Sequence, residues 1–362
     1  MKEKLNWGLL SKYRTEIYGI ATLMIMVFHC QVIIPLSGVI NFINSHLNYG
    51  VDIFLIMSGI CIYFSFSKDQ NYIRFMKKRF DRTLIPYLVI TPFFWIWKDL
   101  IAELDILDFV YNITGLSLIL SRENNYLVIG KPQIWYVAFI LAMYAVYPII
   151  YKALFTVTEK QKNKNFVLLI TIIVALIIFL QYYVPETYKL LEVSVTRTPA
   201  FIIGCYLGKQ VKENKPFKIY DFLLFFSFIP IKILHTLFVK TETAKNILSF
   251  RYLGIFGSFL IIFVAIAFLI ITDRIKFIKV PLNKILCFFG NLSLEIYMIH
   301  VFIYNAFIYY IPDIRKSDIF TFRQKVLIYA GILVISVILA VIFNKGIGAV
   351  KGIIKAKKEK KA

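Results

Sequence analysis

Largely apolar stretches of about 20 residues recur along the whole chain, and that length carries a helix across the hydrocarbon core of a bilayer. Candidate spans are 17–37, 50–66, 83–101, 133–153, 165–184, 193–209, 218–239, 252–272, 285–308 and 325–344. The expected fold is therefore all-α: a polytopic transmembrane helix bundle of about ten helices. Composition agrees. Hydrophobic residues make up 59% of the chain, with 34 Phe and 23 Tyr, against about 45–50% apolar residues in a soluble domain. A soluble core has no use for so much apolar surface, whereas lipid solvates it. Pro86, Pro92, Pro148, Pro199 and Pro230 lie within or near span ends, where membrane helices tolerate proline if neighbours satisfy the released carbonyls.

The formal net charge of +21 is the kind of balance that points first to nucleic acid. The charges sit in short connections between apolar runs, however, and read as topology signals and phosphate contacts, so no nucleic-acid partner is expected. Segments 1–16, 67–82, 152–164, 209–218, 273–284 and 345–362 together hold 29 basic residues, and the alternate connections hold 11. Lys and Arg concentrate on the cytoplasmic side, which puts both termini there. Residues 1–345 then form the transmembrane domain and 346–362 a basic cytoplasmic tail near anionic headgroups. The first run is too long for a signal-peptide core and reads as a retained helix. Cys30, Cys61, Cys205 and Cys287 show neither a CxxC nor a metal spacing and read as small buried hydrophobes; no metal is expected. The long connection 102–132, with Glu103, Asp105, Asp108, Arg122, Glu123 and Lys131, suits either an ordinary loop or a surface that meets a hydrophilic substrate.

Ionisable groups inside a membrane span are costly, so each one is a functional hypothesis. His29, in IATLMIMVFHC, lies about 12 residues into the first span, roughly 18 Å along its axis at 1.5 Å per residue. A neutral imidazole accepts a proton near neutral pH and suits a general base; an interhelical hydrogen bond is the plainer use of the same ring. In GVDIFLIMSGICIYF, Asp52 sits at the outer end of the second span, and the small pair Ser58 and Gly59 lets a neighbouring helix approach. Lys77, Lys78, Arg79 and Arg82 form a basic cluster whose arginines suit bidentate phosphate binding, and which equally serves as a topology anchor. The ninth span, FFGNLSLEIYMIHVF, carries Asn291, Ser293, Glu295, Tyr297 and His300; Ser293, Tyr297 and His300 share one helical face and Glu295 points elsewhere. Arg197, near the outer end of the sixth span, is placed to snorkel to headgroups.

Taken in order, these residues resemble the acyltransferase-3 family of integral membrane acyltransferases, over about 13–345. The matching pieces are the first-helix His29, the stretch from Val51 to Gly59, Arg79 and Arg82 followed by Pro86, the Trp135–Tyr136 helix IWYVAFILAMYAVYP, RTPAFIIGCYLG around Arg197, and Ser293, Tyr297 and His300. One place departs: family members usually carry an arginine eleven residues before the helix-one histidine, and here that residue is Tyr18, with Arg14 the nearest arginine.

The resemblance implies transfer of an acyl group, commonly acetyl, from cytoplasmic acyl-CoA to a hydroxyl of a cell-surface or lipid-linked polysaccharide, by a multi-pass protein of a bacterial plasma membrane. Acetyl-CoA would be a co-substrate, with no bound cofactor. His29 would take the hydroxyl proton, while Ser58, Tyr297 or His300 would stabilise the oxyanion or orient His29; direct transfer and a covalent acyl-histidine both stay open. Lys77, Lys78, Arg79 and Arg82 would hold the acyl-CoA phosphates. Asp52, Trp135, Tyr136, Arg197 and Glu295 would support the acceptor. The residues also admit a transporter or flippase of a lipid-linked saccharide, and an acyltransferase acting on a lipid headgroup or small molecule.

Overall fold

A computed structural model describes residues 5–97, 105–114, 131–238, 250–316 and 319–359. The helices run in order as α1 (Leu9–Lys12), α2 (Arg14–Phe28), α3 (Gly38–His46), α4 (Gly50–Phe66), α5 (Tyr72–Trp95), α6 (Ile106–Thr114), α7 (Lys131–Phe155), α8 (Glu159–Tyr183) and α9 (Pro185–Val195). They continue with α10 (Thr198–Lys212), α11 (Ile219–Phe226), α12 (Phe228–Phe238), α13 (Phe250–Thr272), α14 (Lys276–Asn291), α15 (Ser293–Tyr310) and α16 (Phe322–Glu359). No strand occurs among the described residues beyond an isolated bridge between Asn6 and Pro216. The chain is an all-α, polytopic membrane protein.

Six stretches are long and apolar enough to cross a membrane: Arg14–Val32, Gly38–Phe66, Trp135–Phe155, Glu159–Tyr183, Leu253–Thr272 and Phe322–Ile353. Two broken pairs, Ile219–Phe226 with Phe228–Leu237 and Phe277–Asn291 with Ser293–Tyr310, bring the number to eight among the described residues. The two remaining apolar runs differ for local reasons. The run 83–101 is the second half of α5, whose first turns carry the basic cluster, and its far end lies outside the described residues. The run 193–209 is divided between α9 and α10, because the chain leaves the helix at Thr196 and restarts with Pro199 in its first turn, the place a helix accepts proline best. The last helix runs on to Glu359 without a break, so the first part of the basic tail is helical. Residues 115–130 of the long connection lie outside the described residues.

The chain divides into two compact units. The first comprises Met1–Ile25, Ser45–Phe75 and Ala142–Asn291. Its packing is built on glycines. A Cβ at Gly59 of α4 would meet the carbonyl of Phe201 on α10, and one at Gly204 of α10 would meet the carbonyl of Ile56 on α4. These two helices thus touch backbone to backbone, the approach that small residues allow in membranes. α2 and α14 do the same through Gly19 against Leu286 and Gly290 against Thr15. Near the N-terminus Trp7 is fully buried and donates from Nε1 to Asp221 at 3.2 Å.

The second unit comprises Met26–Asn44, Met76–Leu141 and Leu292–Ala362. One face of α16 repeats Lys325, Tyr329, Ile332, Ser336, Ala340 and Ile347 at helical spacing, all buried, and α16 packs along α15. Around its first half Ile33, Ile34, Val301, Tyr304, Ile314, Tyr329 and Ile332 form one hydrophobic cluster. α5 joins through Phe94, which stacks on Phe302 of α15 with ring centroids 4.5 Å apart.

Candidate active site

The first transmembrane helix changes character at the residue singled out from the sequence. α2 ends at Phe28, and His29–Val32 continue as a 3₁₀ turn. Downstream stand Val32, Ile33 and Ile34 and then Pro35, a β-branched run leading into a residue that disfavours helix before it. His29 is therefore carried on a tightened turn and is half-buried.

One of its partners comes from 271 positions away. His300 on α15 is fully buried, and its Nε2 lies 3.2 Å from Nδ1 of His29. The Nδ1 of His300 lies 2.7 Å from the carbonyl oxygen of Ile296, one turn earlier on the same helix. These contacts assign the protons when both rings are neutral. A carbonyl only accepts, so Nδ1 of His300 carries the hydrogen and donates it. Nε2 of His300 is then an acceptor, so His29 donates from Nδ1 and keeps its lone pair on Nε2. The backbone of Ile296 thereby selects which nitrogen of His29 is basic.

Aromatic rings enclose the pair. Tyr304 stacks on His29 at 5.4 Å between centroids with planes 27° apart, and Phe28 meets the same imidazole edge-on at 5.1 Å. Tyr297, the third residue of the predicted face, lies 6.3 Å from His300 between centroids and 5.1 Å from the ring of Tyr136 on α7. Trp135 packs edge-on against Tyr136 at 5.8 Å. The second unit therefore brings His29, His300, Tyr297, Tyr136 and Trp135 into one aromatic neighbourhood. Tyr304 was not singled out from the sequence. The available signal was its position, four residues after His300 and seven after Tyr297 on the same face.

Glu295 points away from this pair, as its register predicts, and accepts from Asn344 Nδ2 of α16 at 2.9 Å. The basic cluster occupies the first half of α5 rather than a loop. Lys77, Lys78 and Arg82 are exposed and Arg79 is buried.

The remaining candidates belong to the first unit. Ser58 is buried on α4 beside the close approach at Gly59. Asp52 and Arg197 are both buried, so Arg197 does not snorkel to headgroups. They pair with each other, Nε to Oδ1 at 3.4 Å, and are 1% and 5% exposed. Arg197 also donates from a terminal nitrogen to the carbonyl of Val193 at 3.2 Å. Burial is physically sensible here, because each charge is the other's counter-ion. Tyr18 stacks on Phe54 at 5.5 Å with its hydroxyl directed at Cys61, and Arg14 is exposed at the start of α2.

The family model of the acyltransferase domain of this class matches residues 19–345. The chain belongs to the acyltransferase-3 family. It is a multi-pass membrane acyltransferase, and every candidate residue from His29 to His300 falls inside the matched region. No curated protein matches the chain, and no solved structure does. The match begins at Gly19, directly after Tyr18. Family membership favours acyl transfer over the movement of a lipid-linked saccharide.

Proposed function

We propose that this acyltransferase moves an acetyl group from acetyl-CoA to a hydroxyl of a cell-surface or lipid-linked polysaccharide, in a bacterial plasma membrane. The observation that carries the reading is the His29–His300 pair, whose hydrogen bonds leave the lone pair of His29 on Nε2. That nitrogen takes the proton of the acceptor hydroxyl as its oxygen attacks the thioester carbonyl. The tetrahedral oxyanion collapses, the C–S bond breaks, and His29 returns the proton to the departing thiolate. The products are the ester and free CoA. A positioned base of this kind contributes about 10²–10⁴-fold, and holding the two substrates in register supplies much of the rest. His300 orients His29, and Tyr304 supports the face of its ring.

The donor end of the reading rests on α5. Lys77, Lys78, Arg79 and Arg82 fall within two turns of one helix, a density of cations suited to the phosphates of CoA. Metal ligation plays no part in the reading.

The test is His29→Ala, assayed as acetyl-CoA-dependent O-acetylation of the native glycan by protein purified into nanodiscs. Loss of ester formation at unchanged protein abundance supports the reading, and retained activity refutes the base assignment. Mass analysis of surface glycans from a strain lacking the gene checks the acceptor. Loss of the acetyl increment is expected, and an unchanged glycan with an altered lipid or small-molecule pool would refute the polysaccharide.

A further inference from the structure

The turn that carries His29 is held from outside by two side chains. Where α2 gives way to the 3₁₀ turn, the carbonyls around the junction lose the regular helical ladder. Two of them are taken up by partners distant in sequence. Tyr329 on α16, 303 residues away, donates its hydroxyl to the carbonyl of Met26 at 2.5 Å. Asn44 on α3 donates from Nδ2 to the carbonyl of Phe28 at 3.0 Å, and its Oδ1 receives the thiol of Cys30 at 3.7 Å. Both residues are buried, at 4% and 3% exposed. The backbone that leads into His29 is therefore held at Met26 from the α16 side and at Phe28 from the α3 side.

We propose that Tyr329 and Asn44 are positioning residues for acyl transfer: by holding the carbonyls of Met26 and Phe28 they set the turn that aims the imidazole of His29. The inference rests on the reading of His29 as the base. The hydrogen bonds they donate go to backbone carbonyls, so their part is placement rather than proton transfer. Each acts on where Nε2 lies, and a displacement of about 1 Å at a reacting atom costs on the order of 10²-fold in rate. Tyr329 is suited to the task because Ile332 and Tyr304 pack its ring into the same cluster, which leaves its hydroxyl little freedom. Asn44 is suited because it is polar and buried on a helix whose Val39, Ile40, Phe42 and Ile43 are apolar and exposed.

The experiment uses full-length protein in nanodiscs, with acetyl-CoA and the native glycan as substrates. Tyr329→Phe keeps the ring and removes the hydroxyl; Asn44→Leu keeps the volume and removes the donor. Ser336→Ala is the control, since Ser336 is buried on the same face of α16 and bonds only one turn back, to the carbonyl of Ile332 at 2.7 Å. Expected is a fall in kcat of about 10- to 100-fold per folded molecule in the first two variants, with KM for acetyl-CoA unchanged and Ser336→Ala at the wild-type rate. A second readout needs no substrate: diethyl pyrocarbonate modification of His29, followed by peptide mass spectrometry, changes in rate in both variants and not in the control. Wild-type kcat and wild-type modification rate in both variants would overturn the proposal. So would a loss of activity accounted for wholly by loss of folded protein. If Tyr329→Phe does not fold, Asn44→Leu decides alone by the same criteria. An active His29→Ala enzyme would instead refute the base assignment itself, whereas an inactive one beside two fully active variants refutes only the positioning role.

Discussion

Replacing His300 by phenylalanine isolates the contact on which the chemistry turns. The substitution keeps an aromatic ring of similar size against His29, whose centroid is 5.0 Å away, and against Tyr304. It removes the Nε2 acceptor that lies 3.2 Å from His29 Nδ1. The half-buried donor on His29 then loses its acceptor in His300, a hydrogen bond with a net worth of about 0.5–1.5 kcal/mol. At about 1.36 kcal/mol per tenfold in rate, kcat falls roughly 2- to 13-fold from misorientation alone. If the ring also moves its hydrogen to Nε2, the base faces the substrate with the wrong nitrogen. The comparable change of tautomer in a serine-protease triad costs about 10⁴-fold, which bounds the effect from above. His300→Gln is the companion variant, because its amide oxygen reaches the region of the lost Nε2 and restores an acceptor. The assay is release of CoA thiol from acetyl-CoA in nanodiscs with saturating glycan, expressed per folded molecule. The expected order is wild type, then Gln, then Phe. A phenylalanine variant at the wild-type rate, or a glutamine variant no better than phenylalanine, would refute the orienting role.

Two further outcomes are expected. Arg79→Ala or Arg82→Ala raises KM for acetyl-CoA by about 10- to 100-fold, the equivalent of one charge-assisted hydrogen bond of about 1.5–3 kcal/mol, and leaves kcat nearly unchanged; steady-state titration of acetyl-CoA checks this, and a normal KM in both variants rejects the phosphate site. Asp52→Asn or Arg197→Leu alone destabilises the fold by about 3–5 kcal/mol, because the partner charge is left buried and uncompensated, while the double variant Asp52→Leu with Arg197→Leu recovers most of that loss; thermal unfolding in detergent reads the cycle, and additive losses would show that the pair is not coupled.

The helices were legible from the apolar runs because bilayer thickness dictates their length, and the close approach at Gly59 was legible from the small pair in mid-span. Partnerships across the sequence were not. His29 and His300 each stood out as costly residues in apolar surroundings, but nothing local says that one bonds the other. Asp52 and Arg197 looked like separate end charges, since each lies at the rim of its own apolar run; only the tertiary arrangement makes them counter-ions. Tyr304 and Tyr329 were hidden by abundance, being two of 23 tyrosines, and Asn44 by its place in the connection between the first two apolar runs. The segment 67–82 reads as a connection because it is charged, yet most of it belongs to a helix that goes on past Pro86 and Pro92 to Trp95.

The acceptor that fixes the histidine pair is the peptide carbonyl of Ile296, and a carbonyl is supplied by whatever residue occupies that position. Substitution at 296 therefore leaves the proton assignment of both rings intact so long as the turn stays helical. The protonation pattern is stored in helix geometry rather than in a third ionisable side chain, and a point mutation has no side chain there to delete. It is vulnerable instead to distortion: whatever unwinds the turn between Ile296 and His300, such as a proline placed just after His300, would release the imidazole to flip, with the rest of the aromatic neighbourhood still in place.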